Sequence, residues 1–278
     1  EGMYMSKVKL TVTESNCRCG YVKAGDTFVV DDLCPPLCHE LWNCIYPSVY
    51  ALKNGAAAIV CESELCAGCY VVENASQAYS TLCRCFFGYP DRQLSIIAVT
   101  GTNGKTTVAS MLSFILEMNG RKCGLISTVV NRASEELPSD MTTPDSFELN
   151  RMFNQMVQSE KQYCVMEASS QGIYEERLFG IRFKAAVFTN LTQDHLDYHK
   201  TFENYKNAKK KLFSCCETAV INYDDEHSEE FMDCCKGKVL TYSVKHNEAD
   251  FSAKSIRYFP DGLDYVLVAN SLIHRVRL

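Results

Sequence analysis

Apolar residues recur along this chain with two periods, and their alternation lays out most of a fold. Residues 95 to 100 (S-I-I-A-V-T) read as a buried strand. From Val108 to Met118 the apolar residues Val108, Met111, Leu112, Ile115 and Leu116 then fall at i, i+3, i+4, i+7 and i+8, one face of a helix lying on a sheet. Gly120 supplies its stop. Beyond this unit the two patterns keep trading places: strand 123 to 127, helix 145 to 159, strands 163 to 167 and 185 to 190, helix 202 to 213, strand 218 to 222, helix 225 to 235, strand 238 to 242. Such alternation predicts a mostly parallel sheet with helices on both faces. Residues 251 to 278 alternate without a helical period around the turn Pro260-Asp261-Gly262, which predicts a terminal antiparallel ribbon.

The front of the chain is patterned differently. Residues 7 to 12 (K-V-K-L-T-V) alternate as a strand, and Gly25-Asp26-Thr27 turns into a second at Phe28-Val29-Val30. After an irregular stretch from Cys34 to Trp42, a helix is expected over 46 to 52 and a buried strand over 56 to 61; His39 reads as structural. A polar junction, Asp91-Arg92-Gln93, follows Gly88 and Pro90 where composition shifts. The boundary is expected near 90, giving a small N-terminal α/β domain (1 to 90) and a P-loop, mostly parallel sheet domain (91 to 278) with its antiparallel ribbon.

Composition narrows the picture. At 278 residues, 46% hydrophobic and 22% charged, the chain is an ordinary globular protein. Its net charge of −6 gives no sign of nucleic-acid binding, and no apolar run approaches the roughly 18 residues of a membrane span. No signal-peptide pattern opens it, so a cytoplasmic protein, free of membranes, is expected. Sixteen cysteines invite a metal reading, but adjacent Cys-Cys pairs rarely chelate one metal and the C-x-x-C at Cys66 to Cys69 has no second C-x-x-C after it. Reduced thiols are the expectation, ahead of a structural zinc.

Candidate chemistry gathers after strand ends. Ile96 to Thr107 (I-I-A-V-T-G-T-N-G-K-T-T) runs from strand through a glycine turn into a helix. Backbone N–H groups of Gly101, Thr102, Asn103, Gly104 and Thr107 and of the helix start would cradle a polyphosphate, Lys105 would reach the β- and γ-phosphates, and Thr106 would offer its hydroxyl to Mg²⁺. The spacing departs from the standard loop, since Val99 stands where a first glycine is usual. Strand 163 to 166 delivers Glu167, placed to hold Mg²⁺ directly or through water, or else a solvated charge or helix cap. Strand 185 to 188 delivers Asp194, His195, Asp197 and His199, a metal-ligating set or a polar loop. The helix 202 to 213 buries Phe202, Tyr205, Leu212 and Phe213, and its lysines 206, 209, 210 and 211 would ordinarily be a solvated face. Spacing alone does not single one out.

T-G-T-N-G-K-T-T, M-T-T-P at 141 to 144, M-E-A-S-S-Q-G at 166 to 172, T-N-L-T-Q-D-H-L-D-Y-H at 189 to 199 and Y-K-N-A-K at 205 to 209, in this order, resemble the Mur ligases of peptidoglycan synthesis. Within them they are most similar to the branch that adds the third amino acid to UDP-N-acetylmuramoyl-L-alanyl-D-glutamate, over roughly residues 56 to 278. The resemblance implies an ATP-dependent, Mg²⁺-requiring amide-bond ligase working through an acyl phosphate, with the UDP-muramoyl-dipeptide and an amino acid as partners, in a monomer. It implies Lys105, Lys209 and His195 as catalytic residues, Thr106, Glu167, His195 and a carbamylated Lys209 as metal ligands, and Thr142, Thr143, Ser169 and Arg177 as muramoyl-dipeptide contacts. At the front, G-D-x-F-V fits the uridine-binding pattern at Gly25 to Val29, with Ser15 as its candidate contact; Asn16 stands where the family has arginine, and residues 1 to 55 are atypical. The C-terminal domain of these ligases, which carries most of the amino-acid site, is not in this sequence. Other readings are a folylpolyglutamate synthase or MurT-like member of the superfamily, or a nucleotide-binding module without turnover.

Overall fold

The computed structural model describes residues 8–11, 27–30, 59–62, 69–194, 196–269 and 272–278. They fall into two compact units, residues 1–75 and 76–278. In the first, β1 (Val8–Thr11) pairs antiparallel with β2 (Thr27–Val30), where alternation places strands. β3 (Ile59–Cys61) pairs in parallel with β4 (Cys69–Val71). The helix expected over 46 to 52, His39 and Ser15 lie outside the described residues.

The second unit starts ahead of the junction expected near 90. The helix Ala75–Phe86 is tied to it by polar bonds that a break in composition does not reveal. Ser80 Oγ donates to the Glu176 carbonyl at 2.7 Å and lies 2.6 Å from Ser146 Oγ, and buried Arg84 pairs with Asp91.

An eleven-stranded sheet organises this unit. Its strands are β5 (Ser95–Thr100), β6 (Cys123–Ile126), β7 (Val130–Arg132), β8 (Glu136–Pro138), β9 (Tyr163–Glu167), β10 (Ala185–Phe188), β11 (Thr218–Asn222), β12 (Lys238–Ser243), β13 (Phe251–Phe259), β14 (Gly262–Ala269) and β15 (Leu272–Arg277). They lie in the order β15-β14-β13-β12-β11-β10-β5-β9-β6-β7-β8. From β6 to β12 neighbours are parallel. Antiparallel strands finish both edges, the β13–β15 ribbon as expected and β7–β8 unforeseen.

β5 is buried on both faces, as a central parallel strand must be. Ile96 and Ala98 join Leu149, Phe153, Met166, Phe188 and Phe213 on one side; Val99 joins Ala109, Leu125, Val165 and Val187 on the other. From β5 the chain runs out to β6, returns to β9, then crosses to β10 on the opposite flank. This reversal opens a crevice at the C-terminal ends of the strands, the place where open α/β sheets take ligands.

Two helices depart from expectation. Lys105–Met118 lays Ala109 and Ser113 fully buried against the sheet, while Met111, Phe114, Ile115 and Met118 remain exposed. The small residues permit the close approach; Val108, Leu112 and Leu116 of the expected face pack beside them, and only Met111 and Ile115 of that face turn away. The helix expected over 225 to 235 is only Ser228–Met232. Asn222 Oδ1 accepts from Asp224 N and Asp225 Oδ1 from His227 N, side-chain turns that take the place of the first helical turn. No helix among the described residues is long and apolar enough to cross a membrane.

Candidate active site

The loop after β5 is held open by its neighbours. Gly101 has φ +147°, and a Cβ there would stand 2.0 Å from Thr189 Oγ1, so the site admits no side chain. Gly104, at φ +82°, caps the helix Lys105–Met118. Asn190 grips the loop by its side chain, with Oδ1 accepting from Asn103 N at 3.0 Å and Nδ2 donating to Asn103 O at 3.2 Å. Thr102 N donates to Asn190 O at 2.9 Å, and Thr102 Oγ1 donates to Thr192 O and lies 3.0 Å from Tyr205 OH. Segments almost ninety residues apart thus fix the loop ahead of a helix N-terminus, where backbone N–H groups and the helix dipole favour an anion. Thr106 is half-buried in the first turn of that helix and Thr107 is exposed beside it.

Two amines meet at the back of this loop. Lys105 Nζ donates to Gly101 O at 3.0 Å and Thr102 O at 2.8 Å. Lys209 Nζ, from the helix Phe202–Phe213, donates to the same Gly101 O at 2.8 Å and lies 4.7 Å from the centroid of the Tyr205 ring. Lys209 is 1% exposed. Burial, with the Lys105 charge adding to it and Asp194 opposing, brings its pKa down to about 7. Lys105 is also lowered, by burial, against the pull of Glu167 and Asp194. The solvated-face expectation for these lysines fails twice, because Lys206 is buried too, between Glu203 and Glu230.

Glu167 ends β9 fully buried, neither solvated nor a helix cap. Its Oε1 accepts from Thr128 N at 2.8 Å and its Oε2 from Thr128 Oγ1 at 3.1 Å. Its backbone carbonyl takes the Thr143 hydroxyl at 3.0 Å, and Thr143 Oγ1 accepts from Ser169 N. Ser169 caps the short helix Ser170–Tyr174. These contacts draw Thr142, Thr143, Ser169 and Arg177 into one cavity of about 310 Å³, with Tyr198 and His199 also on its wall. Arg177 arrives partly engaged: Nη1 donates to Thr143 O at 2.7 Å, and Nε and Nη2 both donate to Glu175 Oε2. Burial pushes the Glu175 carboxyl up, but hydrogen bonds from Gln171, Tyr198 and Arg177 outweigh it and hold the pKa below its usual value.

Of the polar cluster 194 to 199, His199 turns inward, its Nε2 3.0 Å from Ser170 Oγ, and Asp197 is exposed. His195, like Ser15, lies outside the described residues. No group of three His, Cys, Asp or Glu side chains suited to a metal occurs among the described residues, and their cysteines are free thiols where a side chain is described. Thr106 and Glu167 carry hard oxygens of the kind that Mg²⁺ takes, and that ion commonly keeps several waters and takes the rest of its shell from phosphates.

Periodicity placed Tyr205 on a buried face, as it is, but gave no warning of its hydroxyl's place beside Thr102 or of Thr128, Glu175 and Asn190. Thr128 follows the last residues of a strand and Asn190 follows β10, so position at a strand end was the available signal.

The profile of the Mur ligase middle domain matches residues 99–278. The UDP-N-acetylmuramoyl-L-alanyl-D-glutamate–2,6-diaminopimelate ligase of Clostridium botulinum is 41% identical over 219 residues, 76% of this chain and 44% of its own length. The corresponding ligase 1 of Clostridium acetobutylicum is 39% identical over 234 residues, 82% of this chain and 48% of its own. A solved structure of a ligase of that name superposes with a TM-score of 0.76 at 31% identity, covering 86% of this chain and 51% of that one. The chain thus spans about half the length of the curated relatives it matches.

Proposed function

We propose, since this chain belongs to the Mur ligase family, that it is the nucleotide- and acceptor-binding part of a ligase that joins 2,6-diaminopimelate to UDP-N-acetylmuramoyl-L-alanyl-D-glutamate using ATP. The observation that carries the reading is the meeting of Lys105 and Lys209 on the carbonyl of Gly101. It sets a loop amine beside N–H groups suited to phosphate and a second amine, half deprotonated near neutrality, behind them. The relatives' named substrate makes diaminopimelate the amino acid proposed, ahead of a folylpolyglutamate synthase reading.

The reaction needs a carboxylate oxygen of the muramoyl-dipeptide to attack the γ-phosphorus while the bond to the ADP oxygen breaks. The amine of the amino acid then displaces phosphate from the acyl phosphate and loses a proton. Lys105 would leave its loop carbonyls for the phosphates and offset their charge. Thr106 and Glu167, with phosphate oxygens, would hold Mg²⁺, which would supply charge neutralisation. The neutral Lys209 amine adds to CO₂, forming an N–C bond and releasing a proton, and the resulting carbamate is an anion able to hold a second Mg²⁺. The cavity containing Thr142, Thr143, Ser169 and Arg177 takes the dipeptide end of the acceptor; Arg177 meets a carboxylate through N–H groups not engaged by Glu175 and Thr143. The roles of His195 as a metal ligand and Ser15 as a uridine contact rest on motif position.

Calorimetric titration with a non-hydrolysable ATP analogue and Mg²⁺ tests the reading. Binding that Lys105→Ala weakens by at least tenfold is expected; equal binding by both proteins would sink it. A second titration, with the UDP-muramoyl-dipeptide, should lose affinity in Thr143→Ala or Arg177→Ala.

A further inference from the structure

At the opposite, N-terminal edge of the parallel strands lies a cavity of about 430 Å³, a size that suits a small ligand. The six-residue length of β5 sets it roughly 20 Å from the phosphate loop. Arg84, Arg92, Arg182 and Lys184 face it, against Asp91 and Glu217. Both carboxylates are taken: Asp91 accepts Arg84 Nε at 3.2 Å and Nη2 at 2.8 Å, and Glu217 accepts Lys184 at 2.6 Å. Arg92 and Arg182 have no carboxylate partner among the described residues, which leaves an excess of positive charge in a chain of net charge −6.

The cavity is built rather than incidental. Arg84 is 8% exposed, and among the described residues its Nη1 donates to nothing. Gly180, at φ +79°, lies against that nitrogen, and a Cβ there would stand 2.3 Å from Nη1, so only glycine keeps the approach clear. Tyr89, a non-glycine residue at φ +57°, holds its ring 5.4 Å from the Arg84 guanidinium and 4.3 Å from that of Arg92. A left-handed tyrosine costs roughly 1–2 kcal/mol, and here the strained residue serves to hold two guanidinium groups in place.

We propose that this cavity binds a small multivalent oxyanion, with Arg92 and Arg182 gripping it and Arg84 Nη1 at its floor. Planar guanidinium forks match phosphate and carboxylate oxygens alike, so a phosphate-bearing and a polycarboxylate ligand share the required chemistry. The proposal is independent of the ligase reading.

The test uses the whole chain carrying Lys105→Ala, which weakens the phosphate loop as a competing site, titrated separately with pyrophosphate and citrate. Saturable one-to-one binding is expected, weakened at least tenfold by Arg182→Ala and by Arg92→Ala and unchanged by Arg257→Ala, an exposed cation in the terminal ribbon. Tighter pyrophosphate identifies a phosphate-bearing ligand, and tighter citrate a polycarboxylate. Absence of saturable binding, or binding that both the Arg92 and Arg182 variants leave intact or that Arg257→Ala weakens equally, overturns it. Arg92 and Arg182 are exposed, so unchanged thermal unfolding is expected to accompany the loss.

Discussion

A lysine with a pKa of about 7 is neutral in roughly half of the molecules at neutral pH, where an ordinary lysine is so in fewer than one in a thousand. Only the neutral amine attacks CO₂, so a ¹³C carbamate signal should appear with ¹³C-bicarbonate and vanish in Lys209→Met. Its onset should follow a titration near pH 7; an onset near pH 10 would contradict the lowered pKa. Stability carries the same sign. The folded pKa lies below the unfolded value, so the folded state binds fewer protons between them and stability rises with pH across about 7 to 10.5. Lys209→Met is therefore expected to raise stability by a few kcal/mol at pH 6, a gain that denaturant titration should show fading toward pH 10. Gly101→Ala works in reverse: its Cβ would meet Thr189 Oγ1 at 2.0 Å, and a loss on the order of 2–4 kcal/mol, with nucleotide binding, is expected. In the sequence, the glycine and Lys105 were legible from their motif. Lys209 was not legible from spacing, because its burial is made by Tyr205 and by a loop more than a hundred residues earlier. It was reached through family likeness.

Elements were legible where the physics is local. The phosphate-loop helix ends where Gly120 was expected to stop it: Gly120 N donates to Glu117 O and Arg121 N to Leu116 O, with φ +71° at the glycine. This is the paired closure of a Schellman end. Gly120→Ala should cost about 1 kcal/mol in thermal or chemical unfolding. Asp145, whose carboxylate accepts from Phe147 N and Glu148 N, should cost a similar ~1 kcal/mol when replaced by alanine. Local pattern failed where the deciding group came from elsewhere. The β7–β8 pair is only three residues per strand, too short to show a period. Of the face expected on that helix, Val108, Leu112 and Leu116 pack against the core, while Met111 and Ile115 stay exposed in this unit, so hydrophobicity alone drew the packed face too wide.

At the scale of the whole chain, α/β alternation disclosed a parallel sheet and its terminal ribbon, but not which strands are neighbours. Nothing between residues 95 and 190 says that β5 will sit between β9 and β10, and that arrangement creates the crevice. The buried Arg84–Asp91 pair anchors the helix Ala75–Phe86 from across a composition break. Removing either partner alone should destabilise by roughly 3–5 kcal/mol, measured by urea unfolding, whereas replacing both with apolar residues should cost much less. The shared Gly101 carbonyl also imposes an order in time. While Lys105 rests there, its positive charge helps to keep Lys209 deprotonated; once a triphosphate draws Lys105 away and brings negative charge, Lys209 is pushed back toward ammonium. On the proposed function, uptake of CO₂ would then be fastest before the nucleotide arrives, so protein stripped of CO₂ and given nucleotide first should show a lag that pre-incubation with bicarbonate abolishes.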